Sequence, residues 1–534
     1  MKPGKDGADT IDAGRRSLLG AAAAACAGLA ATRASALGKL FAPTTRETRR
    51  VVIIGSGFGG GVAALRLAQA GVPVLVVERG RRWPTGPNAN TFPTIQTIDK
   101  RAVWYGTMPT VLGKRVVGGP YAGLLEAVAS PTMTALCAAG VGGGSLVYQG
   151  MTLQPSEAVF NECLPAALNW KRMNRDHYPR VARMLGAATA PDDIVNSATY
   201  FPARIFKRNA ERSGFTVEKI PMPIDWSWAQ RELRGEMKPS YTNGDCALGV
   251  NNGGKNSIDV TYLAQAEATG NATVAPLHNV RRIARARDGK WTVFVDRTDE
   301  NGTLLEHKEI TTTALILSAG AINSTELLMR ARALGDISNL PDAVGFGYGT
   351  NADRIYTWTS TQEDFGPIQG GPVVYGSKEW GTPALANTII QASLPPVFGV
   401  DPHSTMLVGF GVSAARGQWI YNPVTDDTQL LWNLNADSVV QTRIAQRISA
   451  VAGRTGILFD TNAVAPTTWH SLGGACMNTV CDLEGRVQGQ RGLYVLDGAL
   501  IPGNTGACNP SMTIAAVAER AMDDIVQHDV GSII

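Results

Sequence analysis

The sequence predicts a mixed α/β protein, α+β overall, and three observations predict it. An apolar strand near the start ends in a glycine turn and opens a helix, a middle stretch alternates apolar and polar residues, and a short strand with a long helix closes the chain. With 534 residues, 44% apolar and 18% charged, the chain is long enough for two or three folded domains, and disorder as the main state is excluded. Its 59 glycines against 29 prolines show no collagen period and belong to turns and close backbone approaches. The formal charge of +4 comes from 49 basic and 45 acidic residues scattered without basic blocks, so no nucleic-acid partner is expected. Seven cysteines are too few for a disulfide scaffold, and none pairs with histidine at zinc-ligand spacing, so no metal is expected.

Residues 1–36 read as a twin-arginine-type signal peptide. Lys2, Lys5 and Arg15-Arg16 precede the alanine-rich run Leu18 to Ala31, and Ala34-Ser35-Ala36 supplies a cleavage site. That export route carries proteins already folded around a cofactor, which implies a periplasmic or secreted holoprotein. The apolar run is too short and too weakly hydrophobic to span a bilayer.

The next elements form a nucleotide site. Val51-Val52-Ile53-Ile54 is a buried strand, Gly55-Ser56-Gly57-Phe58-Gly59-Gly60 a turn, Val62 to Ala70 a helix stopped by Gly71, and Pro73 to Val77 a second strand ending at Glu78. Gly55 makes the turn, Gly57 lets backbone touch a pyrophosphate, and Gly60 allows close helix-to-strand packing, while the helix N-terminus stabilises phosphate charge. Glu78 stands about 20 residues on, where a carboxylate accepts from both hydroxyls of an adenosine ribose and repels a 2′-phosphate.

Further along, Val141 to Val147 is a second glycine-rich crossing. Thr311 to Ala319 is a buried strand followed by a helix from Ser324, Asp364 to Trp432 reads as strands, and Asn435 to Val451 as an amphipathic helix. Gly492 to Gly498 is a strand ending in Asp-Gly, and a final helix follows. A nicotinamide needs an open crevice because it leaves after each turnover, whereas a flavin can be enclosed. Three distant segments closing on one cofactor therefore favour FAD.

These residues resemble the glucose-methanol-choline (GMC) oxidoreductases, and most closely their bacterial cholesterol-oxidase branch with non-covalent FAD. The resemblance lies in Gly55 to Gly60, Glu78, Gly142 to Val147, Trp469-His470-Ser471-Leu472-Gly473-Gly474, Leu493 to Pro502 and Asn509-Pro510. Asn251 to Ser257, Thr261 to Leu263 and Ser318 to Leu328 fit as well. It runs from about residue 49 to the end. It implies a Rossmann-like FAD-binding domain from residues 49–90, 250–345 and 484–534, and a substrate-binding domain with a six-stranded antiparallel-type sheet from residues 91–249 and 346–483. It also implies that Gly55, Gly57, Phe58, Gly60, Glu78, Gly143, Gly144, Ser145, Tyr148, Gln149, Met151, Val280, Asp497 and Gly498 hold the cofactor.

The implied chemistry rests on His470 and Asn509. An imidazole titrates near working pH and can take the alcohol proton as the carbinol hydride leaves for flavin N5, and an amide can donate to the developing alkoxide. Asn509 also reads as an N-cap of the last helix. Cholesterol oxidases additionally move a double bond with a glutamate. Gln391 occupies that position here and has no acid-base chemistry near neutral pH, so weak or no isomerisation is expected. Tyr148-Gln149-Gly150-Met151, Trp469 and Gly506-Ala507-Cys508-Asn509 depart from the family pattern and reshape the pocket. Trp83, Trp104, Trp226, Trp228 and Trp380 are either core or cover for an apolar pocket. The expected partners are an apolar alcohol of steroid type and O2, with no integral membrane association and at most transient contact with a membrane surface. Three readings stand: a sterol-type alcohol oxidase releasing H2O2, a dehydrogenase passing electrons to a quinone or cytochrome, and a non-catalytic flavin or sterol carrier.

Overall fold

In β1 (Thr44–Ile54) the last four residues, Val51 to Ile54, are buried. Burying each of these branched side chains stabilises the fold by about 1.5–3 kcal/mol, so the strand sits at the centre of the first sheet. The computed structural model describes residues 42–111, 113–371, 374–396, 401–433 and 435–534, and the expected signal peptide lies outside them. β1 begins earlier than the apolar run because its polar half finds main-chain partners: Thr44 lies opposite His307 and Thr48 opposite Thr311. Main-chain pairing needs no apolar side chain, so this half was invisible to hydrophobicity.

α1 (Phe58–Gln69) starts four residues before the expected Val62, taking Gly59, Gly60 and Gly61 into its first turns. Glycine costs about 1 kcal/mol per helix position relative to alanine. Close packing requires it here: a Cβ on Gly59 would lie 1.3 Å from the Leu496 carbonyl oxygen, and one on Gly61 2.4 Å from Ile258. β2 (Val74–Val77) follows, buried throughout. The sheet is completed from far along the chain by β3 (Ala272–Ala275), β4 (His278–Arg285), β5 (Trp291–Thr298) and β6 (Leu304–Leu317), after which α2 (Ala321–Ala333) leaves. The strand order is β3-β2-β1-β6-β5-β4, parallel from β3 to β6 and antiparallel beyond.

A second sheet lies between. Its strands are Glu218–Lys219, β7 (Arg354–Ser360), β8 (Tyr375–Glu379), β9 (Asn387–Ala392) and β10 (Ser404–Gly411). Then come α3 (Ser438–Ala452) and β11 (Gly456–Asp460). The six strands run β11-β7-β10-β9-β8 and then Glu218–Lys219, all antiparallel. α3 covers this sheet with Val440, Ile444, Ile448 and Val451, a spacing that lines one helical face, against Trp358, Ile389 and Leu407.

The chain then returns to the first sheet. β12 (Leu493–Val495) pairs parallel with the end of β6, and α4 (Pro510–His528) packs on α1. Arg66 of α1 meets Glu519 and Asp523 of α4 at 2.7 Å each, Arg180 meets the same two at 2.9 Å, and the Tyr262 hydroxyl donates to Glu519. Among the described residues no helix is long and apolar enough to cross a membrane, and no group of three His, Cys, Asp or Glu side chains could hold a metal ion.

Candidate active site

A large cavity of about 390 Å³ opens beside the first sheet, lined from β1, α1, the two glycine-rich turns, β4, α2 and the segments around His470 and Asn509. At its first end Gly55 turns the chain with φ +92°, and a Cβ there would press 2.3 Å from the Ser318 carbonyl oxygen. A Cβ on Gly57 would meet only Gly143 Cα, at 3.9 Å, so this backbone faces open cavity. Nothing lies within 4 Å of a Cβ on Gly144. No side chain caps α1 at Gly57, which leaves its first N–H groups available to an anion. This is a cradle for a pyrophosphate, and a dinucleotide fits it.

Glu78 lines the cavity but already does structural work. Its carboxylate accepts from Ser56 N at 3.1 Å, Ser56 Oγ at 2.7 Å and Gly80 N at 2.9 Å. Ser56 Oγ also accepts from Gly142 N at 3.1 Å, so one hydroxyl ties the two glycine turns together. Spare lone pairs on Glu78 Oε1 suit a ribose. Phe58, Gly143, Tyr148, Gln149, Met151, Val280, Asp497 and Gly498 all line the same cavity. Burial pushes the Asp497 carboxyl up to about 6, while donors from Ser324, Ala499 and Gly320 pull it back. Phe58 stands edge-on to Tyr148 at 5.4 Å, and burial raises the Tyr148 hydroxyl, whose oxygen has no protein partner.

Three expected cofactor or catalytic residues stand elsewhere. Ser145 is fully buried outside the cavity lining: its hydroxyl donates to Gly142 O at 2.7 Å and accepts from Ile258 N at 2.9 Å, pinning the second glycine turn. Gly60 is also outside the lining and packs against Gly55, whose carbonyl oxygen a Cβ would approach to 2.1 Å. Gln391, expected at the catalytic centre, is buried in β9 away from the lining. Its Nε2 donates to Thr405 Oγ1 at 3.0 Å, and that hydroxyl donates in turn to Gln369 Oε1 at 2.9 Å. A primary amide surrounded by sheet finds its partners there. Gly59, which lines the cavity and admits the Leu496 carbonyl, was not singled out from the sequence, although it stands inside the glycine run.

Of the five tryptophans weighed as pocket cover, only Trp104 lines the cavity. Trp83 is stacked on Phe92 at 5.0 Å, and Trp226 packs in a core beside Tyr241. Trp469 does line the cavity and is 42% exposed.

His470 and Asn509 meet at the cavity wall, with Asn509 Nδ2 3.2 Å from His470 Nε2. Asn509 has the backbone of an N-cap, φ −60° and ψ 140°, yet its side chain caps nothing. Pro510 has removed one N–H from the helix start, and the amide turns to the imidazole instead. Asn509 Oδ1 is buried without a protein partner. On its other side His470 Nδ1 lies 2.6 Å from Asp353 Oδ1, a residue that no sequence signal marked. A proton must lie between nitrogen and carboxylate, so Nδ1 donates and Nε2 of the neutral ring is an acceptor, which fixes Asn509 Nδ2 as its donor. A hydroxyl group that inserts between them, displacing this contact, meets Nε2 as acceptor and Asn509 Nδ2 as donor.

Known proteins bear on this arrangement. Residues 116–346 and 435–518 match the models of the GMC oxidoreductase family, and residues 53–107 match an NAD(P)-binding Rossmann-like domain. A cholesterol oxidase of Mycobacterium tuberculosis is 30% identical over 88% of this chain and 90% of that protein. A cholesterol oxidase of Acinetobacter baumannii is 26% identical over 89% and 94%. Among solved structures, a fungal aryl-alcohol oxidase superposes with a TM-score of 0.61 at 14% identity, covering 91% of this chain and all of that one, which is a likeness of fold.

Proposed function

We propose, from the premise that this chain belongs to the GMC oxidoreductase family, that it is an FAD-dependent alcohol oxidase acting on a 3β-hydroxysteroid of cholesterol type, with O2 as acceptor and H2O2 as product. The observation that carries the reading is the His470–Asn509 pair, a proton acceptor beside an amide donor, on the wall of a cavity whose other end is a glycine cradle.

The flavin, when bound, supplies the two-electron acceptor for the hydrogen that leaves the alcohol carbon as hydride. The protein's part is binding, orientation and the proton. Gly57, Gly143, Gly144 and the α1 N-terminus would hold the pyrophosphate, with Glu78 on the ribose and Tyr148, Met151 and Gly498 along the rest. A substrate hydroxyl between His470 and Asn509 donates to Nε2 and accepts from Nδ2, so the O–H bond is polarised as the C–H bond breaks. Met151, Trp469, Pro510 and Ile514, from the same segments, line the cavity with apolar surface. A fused-ring alcohol suits such a wall better than a sugar, whose hydroxyls each need a polar partner. Two bacterial cholesterol oxidases of matching length support the same substrate class.

The test is a panel of steroids and simple alcohols read for flavin bleaching without oxygen and for peroxide with it. A Δ5-3β-hydroxysteroid should bleach the flavin fastest and yield peroxide. Bleaching without peroxide would make the protein a dehydrogenase, and no bleaching by any alcohol would end the reading.

The ketone formed should remain unconjugated. The carboxylates lining the cavity are already engaged: Glu78 with Ser56 and Gly80, Glu126 with Arg79, Glu326 with Arg330 and Asp497 with Ser324. None is free to carry a proton between ring carbons, and Gln391 is bound within its sheet. The Δ5-3-ketone is thus expected to accumulate, and rapid growth of the conjugated Δ4-3-ketone absorbance would refute this.

Non-covalent attachment is part of the same reading. Cys137, a thiol lining the cavity, is pushed up to about 12 by burial, so little thiolate exists to attack a flavin. Acid precipitation should release all the yellow colour into the supernatant; colour kept in the pellet would show a covalent link. Export of the loaded protein through the Arg15-Arg16 segment is the expected route.

A further inference from the structure

We propose that Asp353 is the positioning residue of the site: its carboxylate keeps a proton on His470 Nδ1, so that Nε2 is left an acceptor toward Asn509 and toward a hydroxyl that displaces it, and supplies the countercharge when Nε2 takes up the alcohol proton. This rests on the reading of His470 as proton acceptor.

Asp353 ends a tight turn just before β7, and the turn is built to deliver it. Asn351 and Ala352 both adopt left-handed backbone, at φ 57° and 55°. That conformation costs a branched or methyl-bearing residue roughly 1 kcal/mol or more, so the surroundings must impose it. They do so through Asn351, fully buried, whose Nδ2 donates to Thr505 Oγ1 at 3.0 Å and to the Cys508 carbonyl at 2.8 Å, while its Oδ1 accepts from Thr505 N at 3.0 Å. Cys508 immediately precedes Asn509. The turn that carries Asp353 is thereby bolted to the segment that carries Asn509, and the imidazole is held between the two.

The carboxylate is held at both oxygens. Oδ1 takes His470 Nδ1 at 2.6 Å, and Oδ2 accepts from Thr468 Oγ1 at 2.9 Å. Thr468 Oγ1 in turn accepts from His470 N at 3.1 Å, so ring and backbone of the histidine answer to one anchor. The neighbouring Arg354 is turned away to Asp460 and Gln441, leaving the imidazole as the ring partner of Asp353. Asp353 and His470 side chains are 9% and 16% exposed, little enough for the charge to act without much screening. In the step itself the alcohol O–H bond breaks, its proton forms the Nε2–H bond, and the resulting imidazolium is balanced by the Asp353 carboxylate already in contact.

The test uses flavin-loaded protein labelled with 15N-histidine. The chain has six histidines, and a His470→Gln sample assigns the signal. The wild type should show His470 as one tautomer, protonated on Nδ1 and bare on Nε2. In Asp353→Asn the Nε2–H tautomer should appear, because the amide's NH2 can donate to Nδ1. Flavin content should stay unchanged, and kcat should fall about 10²-fold or more with KM altered only a few-fold. Asp353→Glu should recover at least a tenth of the lost rate. Unchanged tautomers in Asp353→Asn would overturn the proposal, as would an Nε2–H tautomer in the wild type, which decides the matter even if the variant fails to fold. If no alcohol is turned over by the wild type, the functional reading falls, but the tautomer spectra still judge Asp353.

Discussion

His470→Gln is expected to slow alcohol oxidation by roughly 10² to 10⁴ with the flavin still bound. Glutamine fills much of the imidazole's volume and keeps a hydrogen-bonding end, so the wall retains its shape. What it loses is an acceptor able to take up the alcohol proton. The lost interaction strengthens only as the O–H bond breaks, so kcat and kcat/KM should fall together. The flavin stays because its cradle is built from Gly57, Gly143 and the α1 N-terminus, in segments remote from residue 470. The measurement is anaerobic flavin reduction in a stopped-flow instrument with the best substrate of the panel. An unchanged rate would remove His470 from its role.

Gly57→Val should yield a folded protein that binds flavin about 10²-fold more weakly and loses its colour on dialysis. The Gly57 backbone, at φ −74° and ψ −158°, suits any residue, and a Cβ there touches only Gly143 Cα at 3.9 Å, so the first side-chain atom meets no obstacle in the apoprotein. The branched side chain then occupies the place where backbone would touch the pyrophosphate, at a cost of about 3 kcal/mol or more, which is roughly a 10²-fold loss of affinity. Gly59→Val is the control with the opposite fate. Its Cβ would lie 1.3 Å from the Leu496 carbonyl oxygen, where neither helix nor strand can yield, and soluble folded protein is not expected. The contrast is read by thermal unfolding of the purified variants and by the flavin absorbance. Full colour in Gly57→Val would place the dinucleotide elsewhere.

Much of this was legible in the chain. Val51 to Ile54, the glycine turn and Glu78 identify a nucleotide site because strand burial, left-handed turns and helix N-termini are properties of short segments. His470 was marked by the glycines after it together with the GMC resemblance, and Asn509 by that resemblance, its place before Pro510 reading equally as an N-cap. Two other expected residues lie outside the cavity lining for a common reason. Ser145 and Gln391 are polar residues whose types suit a site, but a buried hydroxyl or amide is used wherever a partner lies closest, and for these two the partners are Ile258 with Gly142 and Thr405. Gly59 was one glycine among several until the Leu496 carbonyl was placed beside it.

The sequence alone determined the nucleotide-binding turn, and its likeness to the GMC oxidoreductases marked the discontinuous path of the sheet and the pair His470 and Asn509. The turn is encoded by burial periodicity and steric demand within a few positions, the rest by motifs shared with that family. Only the tertiary structure decided which nitrogen of His470 is free. That depends on Asp353, 117 residues away, and on a turn bolted by Asn351 to the segment before Asn509. A hydrogen bond between side chains requires both ends within about 3 Å, and no local pattern reports that distance when sheet pairing sets it.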